Sequence, residues 1–208
     1  MSFSLLAALR PVRICLRAAF LSAIVALAGC ATHYVDGSVK EIAPAQFTRP
    51  ARPGPVQLVF EFQTKGAANA RATEKIKPMA VESLKDSGLF SQIDEKPLPG
   101  GALLSVVINN IVLTDDAYSK GFMTGLTLGA AGSTVTDGYV CTVKYVVPGA
   151  GGATITKTAR HAIHTTLGSA GAPANAVKAA SIEEAVRSMV RQVLSNAMNE
   201  LSKDAAFK

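Results

Sequence analysis

The stretch YVCTVKYVVPGAGGATITKTARHAIHTTL, residues 139–167, decides the fold class. Its first nine residues predict a strand, in which successive side chains point to opposite faces. One face of this strand carries Tyr139, Cys141, Val143, Tyr145 and Val147. The glycine-rich residues 148–152 predict a turn, and residues 153–167 predict the partner strand. The sequence therefore predicts a sheet that contains an antiparallel hairpin.

Three further strands are predicted upstream of this hairpin. In residues 56–62, one side of the strand carries Val56, Leu58, Phe60 and Phe62. Residues 89–93 predict a short strand. Residues 103–113 predict a longer one that is apolar on both faces as far as Asn109, which is typical of a central strand covered on both sides.

Two helices are predicted from their periodicity and end signals. The first covers residues 67–86, where Pro78 either kinks the helix or begins its second half, and Gly88 ends it. The second begins after Ser181, which with Glu184 forms a capping box. Its apolar stripe consists of Ile182, Ala185, Val186, Met189, Val193, Ala197 and Leu201.

The order β-α-β-β-β-β-α predicts an α+β fold. We expect a mainly antiparallel sheet of about five strands, with both helices packed on one face. Residues 56–208 are predicted to form this single domain, which is long enough to bury a core.

The N-terminus has the plan of a signal peptide. Residues 1–17 contain Arg10, Arg13 and Arg17 and no acidic residue, and residues 18–29 are uncharged and apolar apart from Ser22. Twelve helical residues would rise only about 18 Å, against about 30 Å for the hydrocarbon core of a bilayer, so a permanent transmembrane helix is disfavoured.

The residues Leu27, Ala28, Gly29 and Cys30 resemble the lipobox of bacterial lipoproteins. The resemblance implies a diacylglyceryl group on the Cys30 thiol and cleavage just before it, which makes residues 1–29 the signal peptide. It also implies the outer membrane, because Ala31 stands where an aspartate would retain the protein in the inner membrane. Two or more acyl chains give stable anchoring. The alternative is that Cys30 ends an ordinary signal peptide or is a buried thiol.

Residues 30–55 are predicted to be a lipidated N-terminus and a tether. They contain few large apolar residues and end in the proline-rich stretch RPARPGP, residues 49–55, which disfavours both helix and strand. As a flexible coil such a tether would span roughly 25 to 30 Å and hold the domain, predicted to be periplasmic, away from the lipid headgroups.

Cysteine usage and charge narrow the class of protein further. If Cys15 leaves with the signal peptide and Cys30 carries lipid, Cys141 has no partner for an internal disulfide and is expected to be a small buried apolar residue. Loss of three arginines lowers Lys plus Arg from 21 to 18 against 15 acidic residues, so the net charge falls from +6 to +3. This weak charge gives no indication of nucleic-acid binding.

No motif in the sequence points to an enzyme, a cofactor or a metal site. His161 and His164 are three apart in a predicted strand, so they should lie on opposite faces, and we expect a pair near the surface of an edge strand. Asp115, Asp116 and Asp137 could hold a cation, but solvated turn residues are the favoured interpretation. Neither a nucleophile elbow nor a P-loop is present.

One segment, residues 120–139, is unusual for its glycines and its lack of charge. The predicted interaction residues are Gly121, Phe122, Met123, Gly125, Leu126, Leu128 and Gly129. The segment is too short and too rich in glycine to span a bilayer as a helix, so an extended hairpin or a cover loop is expected. Membrane contact or self-association is the alternative.

Short motifs elsewhere resemble those of small proteobacterial outer-membrane lipoproteins: SGLF at residues 87–90, LTLG at 126–129 and DGY at 137–139. These are loosely similar to the curli-secretion and penicillin-binding-protein-activator lipoproteins. The resemblance implies a non-enzymatic accessory protein that binds an envelope protein or itself. The alternative is a carrier of a lipid or peptidoglycan fragment, held between the helices and the sheet.

Overall fold

The computed structural model describes residues 31–112, 133–146, 151–168 and 170–207. Within these residues the chain forms two α-helices, eight strands and one short 3-10 helix. In chain order they are β1 (Thr32–Asp36), the 3-10 helix (Pro44–Gln46), β2 (Pro55–Thr64), β3 (Ala67–Ala68), α1 (Ala70–Asp86), β4 (Gln92–Asp94), β5 (Ala102–Val112), β6 (Ser133–Val146), β7 (Thr154–Leu167), β8 (Ala176–Ala179) and α2 (Ile182–Ser202).

The strands form one mixed sheet in the order β3-β2-β5-β6-β7-β1-β8, with β4 also paired to β2. The β2–β4 and β2–β5 pairs are parallel, and the remaining pairs are antiparallel. The α+β class is confirmed, whereas the prediction of about five strands was too low. The strands β3 and β8 contain two and four residues, too few for an alternating pattern to be visible in the sequence.

The prediction of a tether over residues 30–55 is wrong for most of its length. Strand β1 lies inside the sheet, where Tyr34 is opposite His164 of β7 on one side and Lys178 of β8 on the other. Val35 is buried. Five residues of strand next to a proline-rich segment gave too weak a signal, and the folded domain begins at Thr32 rather than at Val56.

Residues 40–48 are hydrogen-bonded to α2 and do not form a free tether. The Ile42 N–H donates to Ser195 Oγ at 3.0 Å, and the Thr48 N–H donates to Ser202 Oγ at 3.2 Å. The Asn196 side chain donates to the Lys40 carbonyl at 2.8 Å, and Phe47 is buried in the core. Residues 40–48, which contain Pro44, therefore form a packed connection rather than a flexible one.

The core lies between the helices and one face of the sheet. Alternation along each strand places the same kind of apolar side chain on that face: Val56, Leu58, Phe60, Phe62, Leu104, Val106, Ile108, Cys141, Val143 and Ile163. Against them α2 buries five residues of its predicted stripe, Ala185, Met189, Val193, Ala197 and Leu201, and also Val190, Leu194 and Met198. Of the other two predicted residues, Val186 is partly buried and Ile182 is 40 % exposed. The predicted packing of both helices on one face is confirmed.

Capping residues set the start of each helix. Ser181 Oγ accepts from the Glu184 N–H at 3.1 Å, and the Glu184 carboxylate accepts from the Ala180 N–H at 2.6 Å, so the predicted capping box is present with a shifted second bond. Asn69 caps α1 by accepting from the Ala72 N–H at 3.0 Å. Helix α1 then runs unbroken through Pro78 to Asp86. None of the described helices is long and apolar enough to cross a bilayer.

Candidate functional site

The residues predicted to carry lipidation and partner binding lie outside the described part of the chain. They are Leu27, Ala28, Gly29, Cys30, Gly121, Phe122, Met123, Gly125, Leu126, Leu128 and Gly129. The turn at 148–150 and the pair Asp115 and Asp116 also lie outside it. The described residues that follow the lipidation and interaction residues in the chain are nevertheless known from the sequence.

The described neighbours of both predicted sites meet at one end of the sheet. Thr32, two residues after Cys30, is opposite Thr166 of β7. Ser133, the first residue after the 113–132 gap, is opposite Leu167. We call this the β1 end of the sheet, defined by residues 32–33, 133–135, 165–167 and 179.

The β1 end presents exposed apolar side chains. Val135 is 47 % exposed and Leu167 is 40 % exposed. Ala179 of β8 is opposite His33, so β8 runs toward the same end, and α2 begins there with the exposed Ile182. The strand residues that define this end include no acidic residue, lysine or arginine.

The face of the sheet opposite the helices is called the open face. It is formed by Gln57, Val59, Glu61, Leu103, Ser105, Val107, Thr142, Lys144, Val146, Thr154, Thr156 and Thr158. Val59 and Leu103 are 47 % and 37 % exposed. Within the described residues neither helix lies on this side. These twelve side chains are mostly β-branched and include one lysine and one glutamate, and Arg160, two positions after Thr158 on β7, continues the same face.

A cleft of about 320 Å³, the helix cleft, lies between α1, α2 and residues 41–47. Its apolar side chains are Ile42, Phe47, Met79 and Met198. Two ion pairs cross it, from Arg187 to Glu82 at 3.3 Å and from Arg191 to Glu41 at 2.5 Å. This cleft was not predicted from the sequence, because one wall comes from residues predicted to be a tether. Ile42 and Phe47, isolated apolar residues in that segment, were the available signal.

A second cleft, of about 590 Å³, follows a gap in the edge of the sheet. Strand β4 pairs with residues 55–57 and β3 pairs with residues 63–64, and no other described strand pairs with β2 between them on that side. The gap is partly closed at Phe62, whose N–H donates to Thr73 Oγ1 at 2.9 Å. Glu61, Glu74 and the Lys77–Glu95 ion pair line the rest, so this cleft is acidic.

The two histidines of β7 lie on opposite faces of the sheet, as predicted. The His161 side chain bonds Gln192 of α2, and His164 Nδ1 lies 3.0 Å from Thr136 Oγ1. Both are fully or almost fully buried in an interior strand, so the prediction of a surface pair on an edge strand was wrong. Burial lowers the pKa of His164, although Asp36 acts in the opposite direction. No cluster of possible metal ligands occurs among the described residues.

Cys141 is a buried apolar residue, as predicted. Its side chain has no exposed surface, and this burial raises the pKa of the thiol to about 12. A thiol in this state is protonated at neutral pH and unreactive. Asp137 lies within β6, opposite Ile163, rather than in the predicted turn.

No protein-family model matches the sequence, and a comparison with curated proteins finds no match. A comparison with solved structures finds matches at low TM-scores. PelC from Paraburkholderia phytofirmans, a dodecamer, has a TM-score of 0.35 and 13 % identity over 82 % of this chain and 99 % of its own. A second structure of that dodecamer has a TM-score of 0.32 and 11 % identity over 85 % of this chain and 99 % of its own.

Protein XCC0632 from Xanthomonas campestris, of family DUF330, has a TM-score of 0.31 and 14 % identity over 75 % of this chain and 84 % of its own. At these TM-scores and identities the similarity supports no conclusion about assembly or function. The resemblance to curli-secretion and penicillin-binding-protein-activator lipoproteins stays a prediction.

Proposed function

We propose that this protein is a non-enzymatic lipoprotein of the bacterial outer membrane. Acyl chains on Cys30 would hold it there, and its domain would face the periplasm and bind an envelope protein through the open face of the sheet. The sequence of residues 1–30 supports lipid attachment, and the surface of the sheet supports partner binding.

The pattern of β5 is the observation that carries partner binding. This central strand has Leu104, Val106 and Ile108 against the helices, all with no exposed surface. Its other face presents Leu103 and Val107, a pattern that suits a strand covered on both sides. Both described helices lie on the first face, and Leu103 remains 37 % exposed. Another protein that packed on this face would bury Leu103 and Val107, as the two-sided apolar pattern of β5 predicts.

The chemistry of the open face suits a protein surface better than a small molecule. More than half of its side chains are valine or threonine, whereas small ligands are bound in clefts that enclose most of their area. Interfaces of specific complexes combine an apolar centre with a polar rim. Val59, Leu103 and Val146 would form such a centre, and Lys144 and Glu61 would belong to the rim.

Photo-cross-linking in cells tests the open face. A benzophenone side chain at Leu103 should form a discrete cross-link to one protein, or to a second copy of this chain. Val177, which is 57 % exposed on the edge strand β8, is the control position. The substitution Val59→Glu should abolish the cross-link from position 103, whereas Val177→Glu should leave it intact. Equal products from positions 103 and 177 would contradict a specific interface.

Mass spectrometry of the purified protein tests the anchor separately. The N-terminal peptide should begin at Cys30 and carry acyl chains. The Cys30→Ser variant should lack them and leave the outer-membrane fraction. If the variant stayed in that fraction with acyl chains still present, attachment at Cys30 would be excluded.

The helix cleft favours one alternative function, a carrier of a lipid or peptidoglycan fragment. Its volume of about 320 Å³ is at the lower limit of ligand-binding pockets. The predicted location between the helices and the sheet is instead filled by fully buried side chains such as Leu84 and Met189. Lipid analysis of the purified protein would support this alternative if a ligand were lost in Met198→Trp and kept in Val59→Glu.

A further inference from the structure

We propose that the β1 end of the sheet rests directly on the lipid surface, with Val135, Leu167 and Ile182 in contact with lipid. This inference rests on the proposed acylation of Cys30. It goes beyond that proposal because it fixes which part of the domain faces the membrane.

The length of chain between Cys30 and the sheet carries the inference. Only Ala31 separates Cys30 from Thr32, the first residue of β1. An extended chain advances at most about 3.6 Å per residue, so the two Cα atoms lie within about 7 Å of each other. The headgroup region on each side of a bilayer is about 5 to 8 Å thick. A lipid-anchored Cys30 therefore holds Thr32 at the headgroups.

The sheet orients the rest of the β1 end in the same direction. Antiparallel pairing places Thr32 beside Thr166, and Thr166 beside Thr134 of β6. Val135 and Leu167 are one position from this row on their strands, and both are exposed. A membrane that meets Thr32 at the end of its strand therefore meets these two apolar side chains as well.

The charges at this end are compatible with a neutral lipid surface. Apart from His33, the paired residues of the β1 end are uncharged, so little charge has to lose water on contact. Glu183 and Glu184 begin α2 nearby, and the Glu184 carboxylate bonds the Ala180 N–H. These carboxylates disfavour an anionic surface, so zwitterionic lipids are the appropriate partner.

The far end of the sheet supplies matched control positions. Val59 is 47 % exposed, the same as Val135, and Leu103 is 37 % exposed against 40 % for Leu167. Val59 of β2 is opposite Ser105 of β5, and Ser105 is opposite Lys144 of β6. Lys144 and Val135 are nine positions apart on β6. At about 3.4 Å per residue the two valines are separated by about 30 Å along the strands.

The experiment places an environment-sensitive dye at each of these positions. Full-length acylated protein carrying Val135→Cys, Leu167→Cys, Val59→Cys or Leu103→Cys is labelled and reconstituted into phosphatidylcholine vesicles. The native Cys141 should stay unlabelled as long as the variant is folded, because it has no exposed surface. Its protection is thus the test of folding in each sample.

Dyes at positions 135 and 167 should shift to the blue and lose at least half of their quenching by aqueous iodide. Dyes at 59 and 103 should keep the behaviour they show without vesicles. Equal quenching at all four positions in vesicle-bound, acylated protein would overturn the inference and leave the proposed function standing. Protection at 135 and 167 without vesicles would indicate self-association and would also overturn it. Absence of acyl chains on Cys30 would overturn both proposals.

Discussion

Gly37 shows how a single residue secures the N-terminal strand in the sheet. Its N–H donates to the Asn175 carbonyl at 2.8 Å, where β1 ends and β8 begins. A Cβ atom at this position would lie 2.2 Å from the same carbonyl oxygen. Glycine is therefore required at position 37 because the Asn175 backbone leaves no space for a side chain.

We expect Gly37→Ala to destabilise the domain by about 1 to 3 kcal/mol, because the backbone must shift to relieve the contact. Gly54→Ala is the matched control, since a Cβ there has no heavy atom within 4 Å. That variant should stay within about 0.5 kcal/mol of the parent. Urea unfolding of residues 31–208 measures both, and equal midpoints would refute the proposed clash.

The burial of His164 predicts a dependence of stability on pH. Because its pKa is lowered in the folded state, the unfolded chain binds the proton first as the pH falls below about 6.5. The contribution of neutral His164 is therefore complete above that pH and is lost progressively toward the lowered folded pKa, at no more than about 1.4 kcal/mol per pH unit.

The free energy of unfolding of His164→Gln should accordingly fall less steeply than that of the parent below pH 6.5. An NMR titration of the His164 ring gives the pKa directly. A folded-state pKa at or above the unfolded value would contradict the prediction.

At the scale of single elements, the start of α2 is set by one hydroxyl group. Ser181 Oγ accepts the Glu184 N–H, one of the donors that a helix leaves unpaired at its first turn. Ser181→Ala should cost about 1 kcal/mol of stability, and Ser181→Asp should cost little because its carboxylate can accept the same bond. Thermal unfolding of both variants decides this, and an equal loss in the two would argue against capping.

The elements that the sequence predicts correctly are those with long periodic patterns. Helix α2 and strands β2, β5, β6 and β7 each extend over ten or more residues. Burial follows the alternation along β2 and the helical period along α2, whereas residues 161–164 of β7 are all buried. Strand β1 has only five residues, and its partners in the sheet are more than a hundred residues away in the chain. No local pattern could indicate that pairing.

The candidate surfaces were less predictable than the elements. The exposure of Leu103 depends on which face the helices occupy, and a strand that is apolar on both faces does not specify this choice. The helix cleft depends on the return of residues 41–47 to α2, which is stabilised by hydrogen bonds to Ser195 and Ser202. Serines in a helix seldom indicate a tertiary contact, since they are common on solvated faces.

At the scale of the whole molecule, residues 32–48 complete the domain. A chain that begins at Val56 should fail to unfold cooperatively, because it lacks Val35 and Phe47 of the core and leaves β7 and β8 without the strand between them. A chain that begins at Thr32 should unfold as the parent does. Circular dichroism during heating compares the two, and a cooperative transition in the shorter chain would show that the N-terminal residues are dispensable.

If the chain is exported as proposed, the position of β1 between β7 and β8 sets a condition on when the sheet can form. Thr32 can pair with Thr166 only after the chain has emerged as far as Thr166. Contacts this distant in sequence form late and slowly. In that case β1 would still be unpaired when the first residues emerge, and the enzymes proposed to acylate and cleave the chain would meet an unfolded substrate. Strand β1 would enter the sheet after the proposed lipid had been attached.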